Sequence, residues 1–99
     1  MMTIQKTQEE TALTLALEGR LDTTTAPQLE AELNKSLEGI TRLTMDMAGL
    51  DYLSSAGLRV ILAAQKKMNK QGELLICHVN EMIMEVFEVT GFTDILTIE

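Results

Sequence analysis

The residues of this chain best suited to chemistry are two adjacent serines in the run Asp51-Tyr52-Leu53-Ser54-Ser55-Ala56-Gly57-Leu58. Leu58, Ile61, Leu62 and Gln65 to Met68 follow at helical spacing, so the hydroxyls of Ser54 and Ser55 sit where a loop becomes a helix. A helix start presents unpaired backbone N–H groups and the positive end of the helix dipole, which makes a phosphate there electrostatically tolerable. Phosphorylation would add roughly −1.5 to −2 charges and three acceptor oxygens to a surface that already carries Asp51. A partner fitted to the neutral surface would then lose affinity. The plainer role for either serine is an N-cap worth about 1 kcal/mol, and the local sequence leaves both roles open.

Other chemistries have weaker footholds. Ser55-Ala56-Gly57 is half of a Gly-x-Ser-x-Gly nucleophile elbow, but Leu53 stands where the first glycine belongs. A small serine hydrolase would also need a base, and the only histidine, His78, falls in the apolar run Leu74 to Val79, where a packed or edge-facing imidazole is expected. Cys77 is the only cysteine and reads as an inert buried thiol, so no disulfide framework forms and a reducing cytoplasm is the simplest compartment. No group of His, Cys and carboxylates has metal-ligand spacing, and no glycine-rich phosphate loop is present. The expectation is a non-enzymatic protein with no metal and no cofactor.

Charge and hydropathy exclude further classes. The formal net charge of −7 opposes binding to a polyanion, so nucleic acid is not an expected partner. No basic segment leads into an apolar one at the amino terminus, and no window approaches the roughly 20 apolar residues that span a bilayer. Tyr52, Phe87 and Phe92 are the only aromatics, so the core must be aliphatic and methionine-rich.

The elements that must position the serines can be read from periodicity. Leu13, Leu15 and Leu17 alternate with Thr14, Ala16 and Glu18 in a strand with one wet face, and residues 3 to 8 form a weaker partner joined through Glu9-Glu10. After a break at Gly19-Arg20-Leu21-Asp22, Thr25 with Gln28 three positions on and Pro27 nearby marks a helix carrying Leu29, Leu33 and Leu37, ended by Gly39. Leu43, Met45 and Met47 alternate with Thr44 and Asp46 in a strand, and Ala48 to Asp51 read as the loop that follows it. The serine-led helix runs to a basic last turn at Lys66-Lys67 and a stop at Gly72. A buried central strand over 74–79 comes next, and Asn80 caps a third helix with Met82, Ile83, Val86, Phe87 and Val89, closed by Gly91. Met45, Met47, Met68 and Met82 are expected in the core, with Met84 the one methionine out of phase.

Residues 95 to 98 add a last short strand, and with no repeat or linker in sight residues 1–99 are expected to form a single domain. The order β-β-α-β-α-β-α-β, with right-handed crossovers advancing one way, puts every helix on one face. The polar positions Thr14, Glu18, Thr44 and Asp46 require the other face to be solvated. The predicted class is α/β: a two-layer, mixed β-sheet of about five strands with helices on one face.

The segment Met45 to Leu58 resembles the signature of STAS domains in anti-sigma-factor antagonists. Gly19-Arg20-Leu21-Asp22 with Ala26-Pro27 is similar to that family's Gly-Glu-Leu-Asp turn and first helix, and Val86 to Phe92 to its last helix and exit. The resemblance covers nearly the whole chain. It implies that Ser55, two residues before Gly57, is the phosphoacceptor, with Ser54 as the alternative. It also implies that a cognate anti-sigma factor acts as the serine kinase, that the unmodified domain binds this kinase and frees the sigma factor, and that a serine phosphatase resets the switch. Ser54 stands where well-known members carry aspartate, and Ala56 where they often carry serine or threonine. The implied partner surface comprises Asp22, Thr23, Asp51, Ser54, Ser55, Gly57, Leu58 and Arg59, although Gly57 and Leu58 would equally serve packing, and Asp22 a turn. A monomer or weak dimer is expected. The second non-enzymatic reading is a STAS scaffold or subunit of a stress-sensing or transport complex without a phosphoswitch.

Overall fold

The computed structural model describes residues 1–99. Strands β1 (Met2–Glu9) and β2 (Ala12–Leu21) form an antiparallel hairpin, and helix α1 (Ala26–Ser36) leads to β3 (Arg42–Leu53). Helix α2 (Ser55–Asn69), β4 (Glu73–Cys77), helix α3 (Glu81–Val89), a 3-10 turn at Phe92–Asp94 and β5 (Thr97–Ile98) complete the chain. The five strands lie in the order β1-β2-β3-β4-β5, with β2 to β5 parallel to one another. This is the mixed sheet, with its helices on one face, that the alternation of leucine and threonine requires.

The helix-covered face buries Leu13, Leu15 and Leu17 of β2, Leu43, Met45 and Met47 of β3, and Leu74 and Ile76 of β4. Leu29, Leu33, Leu58, Ile61, Met68, Ile83 and Phe87 descend onto them from the three helices. The opposite face carries Thr14, Ala16, Thr44, Asp46 and Cys77, all partly exposed. Burying one side of such a sheet against helices is the main driving force for the fold, at roughly 25 cal/mol per Å² of apolar surface.

Several boundaries differ from the sequence reading. Strand β2 continues through Gly19-Arg20-Leu21, and β3 through Ala48 to Leu53, where a break and a loop were expected. These two extensions pair with each other, with register shifts near Glu18 and Gly19 that absorb the glycines. A Cβ on Gly49 would lie 2.7 Å from the Glu18 side chain, so the glycine there permits close approach within the sheet rather than a turn. Thr25 does precede α1, but its hydroxyl makes no cap bond to the helix, and the Gln28 amide donates to the Met2 carbonyl instead of closing a capping box.

Gly72 likewise serves close approach, since a Cβ there would lie 1.8 Å from the Thr41 carbonyl oxygen. Strand β4 stops at Cys77, so His78 lies beyond it with φ 58°, outside the apolar strand in which it was expected. Met45, Met47 and Met68 are fully buried, whereas Met82 is 53% exposed and Met84 half-buried. Helix α3 thus keeps only Ile83 and Phe87 fully in the core, and its Met82 and Val89 face outward.

Candidate functional site

Ser54 and Ser55 are positioned by the ends of two strands. Leu21 and Leu53 are partners in the β2–β3 ladder, and the chain leaves both strands at this level. The Ser54 amide donates to the Leu21 carbonyl at 2.9 Å, which ties the start of α2 to the end of β2. Ser54 takes the extended N-cap conformation, its hydroxyl accepting from the Gly57 amide at 3.4 Å and its carbonyl from the Leu58 amide at 3.0 Å. Ser55 is the first helical residue and is exposed. The amides of Ser55 and Ala56 have no acceptor within the helix, as the geometry of any helix start dictates.

This arrangement separates the two serines by role. The Ser54 hydroxyl is bonded to the backbone and half-buried, while Ser55 is exposed. Ser54→Ala is expected to lower stability by about 0.5–1 kcal/mol, at the low end for caps because the bond is long, measured by chemical denaturation.

Beside the serines, the loop after β2 folds around Asp22. Its carboxylate accepts from the Thr24 hydroxyl at 2.8 Å, the Thr24 amide at 3.0 Å, the Thr25 amide at 3.1 Å and the Thr25 hydroxyl at 3.2 Å. The Thr25 hydroxyl also donates to the Arg20 carbonyl at 2.7 Å, locking the loop onto the strand. These bonds, the Thr24 hydroxyl foremost, hold the Asp22 carboxyl well below the usual range, at about 2. A carboxylate with a depressed folded-state pKa stabilises the fold above its unfolded value, and that contribution is lost as pH falls toward the folded value. Carboxyl NMR titration should therefore place the Asp22 midpoint near 2; a midpoint near 4 would show that the threonine cage does not hold in solution.

Thr23 and Asp51 are exposed beside this loop and strand, and Arg59 is exposed one helical turn beyond Ser55. Gly57 and Leu58 are both buried, as the packing alternative for them expects, and a Cβ on Gly57 would lie 2.6 Å from Leu21 Cγ and 2.9 Å from Leu53 Cδ1. Two residues that the sequence reading did not single out lie beside these positions. Arg20 and Tyr52 are ladder partners, and the Arg20 guanidinium lies 4.2 Å from the Tyr52 ring centroid and 3.7 Å from an Asp22 carboxylate oxygen. Tyr52 is one of few exposed large apolar side chains, and its place beside the serines was the available sequence signal. Arg20 had no signal until β2 was seen to continue through it.

The one histidine lies far from the Ser55 hydroxyl. His78 is bonded to Asp46, which lies seven residues before the end of β3 and so roughly 20 Å from the start of α2. The half-elbow therefore has no histidine partner. Burial pushes the Cys77 thiol up, with the charges of Asp46 and Glu99 adding to the effect, which leaves it a poor nucleophile. No helix is long and apolar enough to cross a membrane.

Comparison with known proteins agrees with this geometry. Residues 3–99 match the family model of the STAS domain. The chain is 42% identical over 88 residues to a Bordetella bronchiseptica protein named as an anti-sigma factor antagonist, BtrV, covering 87% of this chain and 76% of that one. Among solved structures, an anti-sigma factor antagonist from Mycobacterium paratuberculosis superposes with a TM-score of 0.90 at 19% identity, covering 99% of this chain and 85% of that one. The Bacillus cell fate determinant SpoIIAA in its phosphorylated form superposes with a TM-score of 0.77 at 16% identity, covering 98% and 91% respectively. With the family model spanning both the serine-led helix and the strands that position it, the chain belongs to the STAS domain family.

Proposed function

We propose that this protein is an anti-sigma-factor antagonist whose unmodified Ser55 surface binds a cognate anti-sigma factor, freeing a sigma factor, and whose phosphorylation at Ser55 by that same kinase ends the interaction. The observation that carries this reading is the exposed hydroxyl of Ser55 at the first position of a helix anchored to the sheet through Ser54 and Leu21. Phosphate at that position meets free amides and the positive end of the α2 dipole, so modification leaves the fold in place while reversing the local charge. The identity to BtrV, named as an anti-sigma factor antagonist, supports the assignment of partner class, and the existence of a phosphorylated SpoIIAA with this fold supports the modification.

The contact surface in this reading comprises Asp22, Thr23, Asp51, Ser54, Ser55 and Arg59, with Arg20 and Tyr52 added and Gly57 and Leu58 beneath. A serine phosphatase would restore binding. The test is to mix the purified protein with its cognate anti-sigma kinase and ATP, locate phosphate by mass spectrometry, and measure binding before and after. Phosphate on Ser55 that weakens the complex, absent in Ser55→Ala, is the expected result. Stable binding without phosphate would instead place the protein as a scaffold or transport-complex subunit.

A further inference from the structure

On the open face of the sheet, away from the serines, the fold assembles three different metal-binding side chains that the sequence keeps apart. Asp46 of β3 and Cys77 of β4 are partners in the parallel ladder, so their side chains emerge side by side on the uncovered face. His78 follows with φ 58°, a left-handed backbone turn that brings its Nδ1 to 3.0 Å from Asp46 Oδ1. A carboxylate oxygen of Asp46, Cys77 Sγ and a ring nitrogen of His78 all lie within 4.8 Å of one another.

We propose that Asp46, Cys77 and His78 form a binding site for a divalent first-row transition cation of the zinc type, with a fourth position open to water. Three features of the chemistry carry it. The donor set of one thiolate, one imidazole and one carboxylate suits a borderline cation and is unsuited to magnesium or calcium, which take oxygen ligands. Tetrahedral bonds of about 2.0–2.1 Å to nitrogen and oxygen and about 2.3 Å to sulfur place ligand atoms roughly 3.3–3.6 Å apart, a separation that side-chain rotation can reach from atoms already within 4.8 Å of one another. The carboxylate is also oriented in advance, because the Ala48 amide donates to Asp46 Oδ1 at 2.9 Å. Each ligand is at least partly open to solvent, which provides the entry path.

The plainer account of the same atoms is a surface His–Asp hydrogen bond beside an idle thiol, and cobalt distinguishes the two. Co(II) replaces zinc in such sites and reports thiolate ligation through a sulfur-to-metal charge-transfer band, with strong visible bands when the geometry is tetrahedral. Titration of the tag-free protein under reducing conditions should give these bands, saturating at one equivalent per chain and bleached by zinc. Cys77→Ser should remove the charge-transfer band, and Asp46→Asn and His78→Asn should each weaken binding at least tenfold. Asparagine preserves the left-handed preference at position 78 and the amide contact at position 46, so circular dichroism should show all three variants folded. A wild-type spectrum of the hexaaquo ion, saturation at half an equivalent, or a charge-transfer band that survives Cys77→Ser would each overturn the site. The wild-type spectrum decides the question even should a variant unfold.

Discussion

Ser55→Asp is expected to weaken the complex with the cognate anti-sigma factor roughly 30- to 100-fold, whereas Ser55→Ala should bind within about threefold of the unaltered protein. A partner surface shaped to a neutral hydroxyl must either desolvate the new carboxylate or oppose it with like charge, at a cost of about 2–3 kcal/mol. Each 1.4 kcal/mol is tenfold in affinity. Phosphoserine carries up to twice the charge of aspartate and should weaken the complex further. An acidic residue in the first turn of α2, which has none, also gains a few tenths of a kcal/mol from the helix dipole. The thermal midpoint of Ser55→Asp should therefore be unchanged or slightly raised, which separates lost affinity from lost structure. Isothermal titration beside a melting curve measures both. Were Ser55→Asp to bind like the unaltered protein while Ser54→Asp did not, the acceptor would be Ser54.

Gly57→Val is expected to destabilise the fold by about 3 kcal/mol, and Gly57→Ala by only about 0–2 kcal/mol. Alanine gains about 1 kcal/mol of helix propensity over glycine. Its Cβ nevertheless lands 2.6 Å from Leu21 Cγ and 2.9 Å from Leu53 Cδ1, and overpacking of this kind typically costs 1–3 kcal/mol. Valine adds two methyl groups to the same contact and recovers less propensity. The atoms displaced belong to the residues that close β2 and β3, so the strain acts where α2 is hung on the sheet. Urea denaturation gives the stability change. Because Leu21 also supplies the carbonyl that holds the Ser54 amide, Gly57→Val should slow the proposed phosphorylation of Ser55 even where the protein remains folded. A valine variant as stable as the unaltered protein would show that α2 can shift outward at little cost.

The sheet was legible because its two faces differ so sharply in polarity. Leu13, Leu15 and Leu17 against Thr14, Ala16 and Glu18, repeated by Leu43, Met45 and Met47 against Thr44 and Asp46, fixed strand identity and the side to be covered. The direction of the crossovers then left one arrangement of helices. Asn80 was legible as a cap for a local reason: its carboxamide accepts from the Ile83 amide at 2.8 Å, three residues on. The capping box at Thr25 and Gln28 failed for the complementary reason. Both side chains found partners distant in sequence or outside the helix, in the Arg20 and Met2 carbonyls.

The ends of β2 and β3 were illegible because glycine in a strand carries no side chain to show alternation. Gly19 and Gly49 read as a break and a loop when taken singly, yet both lie within strands: Gly19 has φ 100° and a Cβ there would meet the Met1 carbonyl oxygen, and a Cβ on Gly49 would meet the Glu18 side chain. That misreading hid Arg20 and Tyr52, whose stacking depends on the extended ladder. Met82 was misplaced because α3 is only nine residues long and packs a narrow stripe against β3, so neighbours at helical spacing on its flank remain exposed.

The sequence by itself determined the order of elements, the polarity of the sheet faces and the placing of two serines at a helix start, since all three depend on interactions spanning a few residues. The tertiary structure alone decided which serine is free, because Ser54 is occupied by an amide of its own helix and by the carbonyl of Leu21. It also decided that the end of β2, just before Asp22, is tied to Ser54 at the start of α2, and that Asp46 meets Cys77 and His78 from 31 and 32 residues away. Ladder register makes such neighbours. It is fixed by the burial of the whole sheet at once, and no local spacing in the chain encodes it.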